Sequence, residues 1–391
     1  MSSTHVETLT SPQAIDALAT AWGALEAGTP EATGFQSFAW CRAWIEAARE
    51  EALEFRVVTL RADGQLVMLW PMQIEGRFGA RILRWLGEPM TQYGDALALP
   101  SCERKRWRDA VLAEIGRWRD VDLVALTKLR RDGVLAGADL ELARGGDELA
   151  APFVDLRALR PQRRESKSAQ RRRRKLMAFG EVRFEQAATA SRSRELMRTA
   201  LAQKREWLRE KGFFSCGLSH RAASSFLDLL TQGELLRLHA LTAGPHIAAI
   251  DIGFVRNGVY RSLLGSYDLR CAEGAPGHAL TMQLIACCAA EGLAAYDFLA
   301  PADPYKLEFA DGATPVGAHF KPLSLKGYIA AFMLAQLRPM AKRLAGAAAH
   351  LSLFRACRSF LGRAPRRGVS ARISAPSRLR ANFAKVDRLL R

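Results

Sequence analysis

Cys271-Ala272-Glu273-Gly274-Ala275-Pro276-Gly277-His278-Ala279-Leu280 decides the reading of this chain. It joins a strand-like run over 259–267 to a helix-like run over 277–291. A small-residue loop that opens a helix presents backbone N–H groups, and the helix dipole adds partial positive charge there. Such a turn suits a phosphate or pyrophosphate. Ala275, Gly277 and Ala279 leave room for a ligand to approach the backbone.

Working outward, Arg256-Asn257-Gly258 is a hairpin turn, so 259–267 pairs antiparallel with a strand over 246–254. A third strand spans 235–241, helices span 191–211 and 220–231, and a short strand over 294–299 follows the loop's helix. A phosphate loop after an antiparallel meander fits a dinucleotide-binding βαβ unit poorly. The first half has the same order. Helices over 11–27 and 35–49 precede strands over 55–60 and 66–74, joined through Ala62-Asp63-Gly64. A third strand at 81–86, a helix over 103–118 and a strand over 122–126 complete it. The repeated order predicts a duplication, although the halves share little sequence.

The composition bounds the class. The chain has 391 residues, is 49% hydrophobic and 25% charged, and carries a net charge of +17. The hydrophobic and charged fractions are those of a globular protein, not a disordered or collagen-like one. The charge is concentrated. Residues 338–391 hold fourteen Lys/Arg and one acid, and residues 160–175 hold nine Lys/Arg and one acid. The rest is slightly acidic, which argues against a nucleic-acid-binding fold with its charge spread over one face. No signal-peptide pattern or long apolar run is visible. Seven scattered cysteines without a C-x-x-C predict reduced thiols, no zinc site and a cytoplasmic protein.

Leu264-Gly265-Ser266-Tyr267-Asp268, Ala275-Pro276-Gly277, Tyr296-Asp297-Phe298-Leu299 and Pro304-Tyr305-Lys306 together resemble one branch of the GNAT acyltransferases. It is often called the cellulose-biosynthesis or exopolysaccharide acetyltransferase family, and it is related to the Fem-type aminoacyltransferases. Phe35-Gln36-Ser37, Trp40 and the Asp63-Gly64 hairpin extend the resemblance, which covers about residues 30 to 325. Ala275 stands where serine is common in the family, and Leu299-Ala300-Pro301-Ala302-Asp303 departs from the usual glycine and acidic residues.

The resemblance implies an α/β (α+β) fold of tandem GNAT-like domains, each a mixed, mostly antiparallel sheet flanked by helices. A degenerate first domain spans 1–155, an acetyl-CoA-dependent domain spans 156–325, and a basic helical tail spans 326–391. Gly274, Ala275, Pro276, Gly277, His278, Ala279 and Leu280 are the expected cofactor-binding residues, with no metal. Acyl transfer from a thioester needs a positioned nucleophile, a base, polarisation of the carbonyl and a proton for the leaving thiolate. Tyr305 is the candidate acid. Asp268 and Asp297 are candidate bases or else caps and ion-pair partners. Lys306 pairs with an aspartate or with an anionic substrate. Lys204 and Trp207 lie on the helix that borders the acceptor site in this superfamily, and His239 and His246 read as structural.

The expected acceptor is a sugar, polysaccharide precursor or small amine, acylated on nitrogen or oxygen. The alternatives are Fem-like transfer from aminoacyl-tRNA, for which the basic run is suggestive but the usual coiled-coil arm is missing, and a non-catalytic membrane accessory. The tail predicts peripheral contact with an anionic membrane at its inner face.

Overall fold

The computed structural model describes residues 3–136, 143–146, 148–158 and 167–337. The expected tail beyond residue 337, and Arg163, Arg164, Glu165 and Ser166 of the basic run, lie outside the described residues.

Fourteen strands form one mixed sheet: β1 (Thr4–Leu9), β2 (Glu54–Ala62), β3 (Gln65–Arg77), β4 (Ala80–Trp85), β5 (Leu97–Ala98), β6 (Leu123–Arg130), β7 (Ala143–Arg144), β8 (Leu149–Asp155), β9 (Val182–Gln186), β10 (Arg237–Ala243), β11 (His246–Arg256), β12 (Val259–Tyr267), β13 (Ala295–Asp297) and β14 (Gly312–Pro322). The main path runs β1-β2-β3-β4-β6-β14-β8-β13-β12-β11-β10-β9, with β5 beside β3 and β7 beside β14.

The two halves share a plan. In the first, β2, β3 and β4 are an antiparallel meander, and the helix Arg104–Gly116 crosses over to β6, parallel to β4. In the second, β10, β11 and β12 are the meander, and the helix Pro276–Ala290 crosses over to β13, parallel to β12. The Asp63-Gly64 and Asn257-Gly258 turns have positive φ at both residues, the tight geometry that suits right-twisted strands.

The halves also exchange strands. β8, from before residue 156, pairs with β13, whereas β14, from after β13, pairs with β6. β8 and β14 pair with each other and close the seam. One hydrophobic core crosses that seam. Phe35, Trp40 and Trp44 pack edge-on against Phe254 or Phe226, with ring centroids 4.8–5.2 Å apart. Asn257 donates to the Pro30 and Ala32 carbonyls at 2.9 and 3.1 Å, so a second-half turn is fixed to a first-half loop.

One expected element is divided, and two strands lie outside the expected elements. The helix expected over 11–27 divides into Pro12–Ala17 and Ala19–Ala27, because Leu18 closes a tighter turn by donating to the Ile15 carbonyl. β1, where the sequence predicts no element, is a short edge strand whose His5 and Glu7 alternate with half-buried positions. β14 carries Gly312, Pro315, Gly317 and Pro322, all poor strand formers. It is a strand because it is paired on both sides, with a bulge between Gly317 and His319.

Candidate active site

The site starts where parallel pairing stops. β12 and β13 pair at Val259/Ala295, Tyr260/Tyr296 and Arg261/Asp297, and then diverge. β12 continues to Tyr267 with only β11 beside it. Residues 262–267 therefore present an unpaired strand edge inside the sheet, able to bond an extended ligand through its N–H and C=O groups.

A pocket of ≈ 240 Å³ occupies this fork, with Ser262, Leu263, Leu264 and Gly265 on one wall and Phe298, Leu299 and Ala300 on the other. Tyr305 and Lys306 line it from the helix Pro304–Phe309, and Lys204 lines it from the helix Ala190–Lys211. Met90 and Gln92 enter from the first half. Both come from the loop that fills the first half's own fork. There Thr127 donates to Glu88 at 2.6 Å, Lys128 bonds the Pro89 and Thr91 carbonyls, and Gly94 N–H donates to the Lys128 carbonyl at 3.1 Å. The plugged fork of one half is thus a wall for the open fork of the other.

Tyr305 is half-exposed, its ring edge-on to Phe298. Burial of the phenol pushes its pKa up, which favours the protonated form. Lys306 is buried and committed: Nζ donates to the Leu299 and Pro301 carbonyls at 3.1 and 2.9 Å and lies 3.3 Å from Asp303. Its ammonium orders the turn after β13. Lys204 is the more available cation. Its Nζ sits 4.7 Å over the Trp207 ring, and burial lowers its pKa. Trp207 donates to the Tyr267 hydroxyl at 2.9 Å, which fixes the ring.

The two aspartates are not in the pocket lining. Asp268 caps the short 3₁₀ helix Leu269–Gly274 by accepting from Arg270 N–H at 2.9 Å. The Arg270 guanidinium bonds it at 2.6 Å and holds its carboxyl below the usual range, so it is a weak base. Asp297 joins the halves. It accepts from Tyr93 OH at 2.8 Å, Leu299 N–H at 2.8 Å and Arg130 at 2.9 Å, with Arg261 Nε 3.9 Å away. Both geometries fit the cap and ion-pair readings of these residues.

Another buried carboxylate that the sequence reading passed over, Asp251, lies behind the pocket and is linked to it through Ser262. Ser262 Oγ donates to Asp251 Oδ2 at 2.6 Å, and Tyr260 OH donates to Asp251 Oδ1 at 2.8 Å. Tyr296 OH is 3.4 Å from Oδ2, and His239 Nδ1 is 3.3 Å from Tyr260 OH. Burial raises the Asp251 pKa against these hydrogen bonds. The signal was a lone aspartate in the otherwise apolar run Ile247–Phe254, where an unpaired charge would be costly. His239 is structural: it is buried, and desolvation pulls its pKa down to about 4.

The loop is an uncapped helix start. Ala275 is left-handed with φ 49°, and no side chain caps the helix that begins at Pro276. Gly277 and His278 therefore carry first-turn N–H groups with no intrahelical acceptor. A Cβ on Gly277 would have space, its nearest neighbour being Tyr267 at 3.8 Å, but one on Gly274 would lie 2.5 Å from Leu176. Gly274 is thus a packing glycine, and Leu280 points into the core. The His278 imidazole stacks near Phe309, with Nε2 3.8 Å from Glu308. A groove of ≈ 350 Å³ beside the loop is lined by Arg172, Arg173, Gly274, Ala275, His278 and Gln283, among others. The two arginines come from the helix Lys167–Met177, so the described part of the basic run lies against the loop. The uncapped N-terminus, these cations and the open strand edge fit a phosphate-bearing, extended acyl donor.

Residues 162–307 match the sequence profile described as an acetyltransferase (GNAT) domain. No curated protein sequence matches the chain significantly. Among solved structures, the crystal structure of FemX superposes with a TM-score of 0.55 at 11% identity, covering 84% of this chain and 99% of that one. The C-terminal DUF2156 domain of an Agrobacterium fabrum protein assigned as a lysylphosphatidylglycerol synthetase gives 0.54 at 14%, covering 83% and 95%. L-PGS from Bacillus licheniformis gives 0.50 at 14%, covering 84% and 96%. At such identities the likeness is one of fold. Residues 162–307 thus resemble a GNAT acetyltransferase domain, and the chain shares the α/β fold of these proteins.

Proposed function

We propose that the protein transfers an acyl group from acyl-CoA, in the simplest case acetyl-CoA, to an amine or hydroxyl of a sugar, polysaccharide precursor or small amine. The observation that carries this reading is the fork between β12 and β13, with an uncapped helix start at one end and a polar pocket in its mouth. The donor supplies an activated thioester carbonyl. The chain supplies the rest. N–H groups of Gly277 and His278 bind phosphate oxygens, and the open edge at 262–267 aligns the donor's arm and polarises its carbonyl. Ser262 donates its proton to Asp251 and hydrogen-bonds Tyr296, which leaves one lone pair to accept the proton of the attacking N–H or O–H. Asp251 takes that proton onward, and burial, which raises its pKa, makes it a stronger proton acceptor than an ordinary aspartate. Tyr305, kept protonated, donates to the departing thiolate. Exposed Phe213 and Phe214, beside pocket-lining Ser215, offer flat apolar faces to a sugar ring.

Acetyl-CoA at a hundred times its dissociation constant is expected to stabilise the protein by about 2.7 kcal/mol, seen as a higher Tm. A Cβ on Gly277 meets nothing closer than Tyr267 at 3.8 Å, so Gly277→Trp is expected to fold and, by crowding the helix start, to remove the shift. An unshifted Tm in the wild type would contradict the donor assignment. A second reading, transfer from aminoacyl-tRNA, is supported by the basic helix against the loop. It predicts stabilisation by tRNA and none by acetyl-CoA.

A further inference from the structure

The helix Leu325–Phe332 is the inverse of an ordinary surface helix. Its small residues face inward. Gly327 packs so closely that a Cβ would lie 1.8 Å from the Asp122 carbonyl oxygen, and Ala330 is buried with Ile82, Leu123, Ala125 and Phe320. Ser324 caps the helix, accepting from Gly327 N–H at 3.2 Å while its hydroxyl bonds Asp122. The helix is therefore pinned to the sheet by its narrow face.

Its large residues point the other way. Leu325, Tyr328, Ile329 and Phe332 are 78%, 65%, 57% and 57% exposed. Their spacing of i, i+3, i+4 and i+7 puts them on one stripe. A stripe of this kind normally faces a core, and a contiguous exposed one marks an interaction surface. The chain then continues from residue 338 into fifty-four residues with fourteen Lys/Arg and one acid.

We infer that this stripe is a membrane-docking surface, and that the partner is an anionic lipid bilayer. Apolar side chains on a fixed helix enter the boundary between headgroups and acyl chains, and the adjoining basic segment is drawn to the lipid phosphates. Charge decides against a second copy of the chain as the occupant. Two copies meeting stripe to stripe would bring two such basic segments together, and the slightly acidic remainder of each chain would offset only a small part of that charge. The inference is independent of which acyl donor is used, and no helix among the described residues is long and apolar enough to span a membrane itself.

The test uses the full chain and vesicles of equal parts phosphatidylcholine and phosphatidylglycerol, with pure phosphatidylcholine as control. The wild type is expected to bind the mixed vesicles about tenfold or more tightly than the neutral ones, less so at high salt. The double variant Ile329→Glu with Phe332→Glu is expected to lose binding by about tenfold or more with Tm unchanged, since the positions are exposed. Equal binding by variant and wild type, or no preference for anionic vesicles, would overturn the inference. So would a Tm fall of several degrees in the variant, which would mean that the chain's own residues cover the stripe. A dimer in light scattering that the variant dissociates would assign the stripe to a second copy and overturn it as well.

Discussion

Replacing Asp297 by alanine is expected to destabilise the protein by about 3–5 kcal/mol in a denaturant titration, a large fraction of the stability of an ordinary domain. The carboxylate is 3% exposed and serves both halves. Without it, Tyr93 OH and Leu299 N–H lose an acceptor inside the protein. Arg130 keeps Asp132 as a partner at 2.7 Å. Arg261 is worse placed: it is 4% exposed, burial already draws its pKa down to about 10, and Asp297 is the carboxylate nearest to it, at 3.9 Å. Removing one partner of a buried ion pair strands the other, which costs more than the pair itself contributes. Asp297→Asn should lose less, because the amide oxygen can still accept from Tyr93 or Leu299. A loss below about 1 kcal/mol for the alanine variant would mean that water reaches the cluster and replaces the carboxylate.

Ser262→Ala and Asp251→Asn are expected to lower kcat by about a hundredfold or more, the usual contribution of a positioned proton acceptor. The two changes remove successive members of one proton path, so the double variant should lose little more than either alone. The pH profile separates this from a structural role. The base works when deprotonated, so wild-type kcat should rise with pH through a pKa above the ordinary aspartate value, in line with the direction in which burial moves Asp251. Asp251→Asn should abolish that acidic limb. A variant that keeps the limb and loses activity only through a lower Tm would assign Asp251 to the buried Tyr260–Tyr296–Ser262 cluster alone.

The two meanders and their crossovers were legible in the sequence because Asp63-Gly64 and Asn257-Gly258 are strong local turn signals, and the flanking runs are apolar. The strand exchange was not, because nothing local to β8 or β14 says which half each completes. Pro315 and the glycines of β14 argue against a strand until β6 and β8 bond both its edges. The pocket was partly legible. Tyr305, Lys306 and Lys204 converge there, from segments that the reading had marked. The aspartates at 268 and 297 were marked for their positions at strand ends, and their partners, Arg270 within two residues and Tyr93 and Arg130 across the seam, commit them elsewhere. Asp251 was missed because an aspartate inside an apolar strand has no motif around it; its meaning comes from Ser262, which the hairpin register brings beside it.

In the first half, the loop at 86–96 is held by Asp95. The carboxylate of Asp95 is buried and accepts from Ala96, Val134 and Leu135 N–H at 2.8, 2.7 and 3.2 Å, and desolvation still lifts its pKa to about 7. These bonds hold the loop in the first fork, and the same loop sends Tyr93 to Asp297 and Met90 and Gln92 to the pocket. A half whose own fork is filled therefore shapes the opening of the other.

The central claim is that the donor binds in the second-half fork and at the helix start beside it. Hydrogen exchange of the full chain with and without saturating acetyl-CoA tests this most directly. Protection concentrated in residues 262–280, reaching the first half only at the pocket-lining stretch around Met90 and Gln92, is the predicted result. Unchanged exchange at 262–280, or protection confined to the first half, would contradict the account.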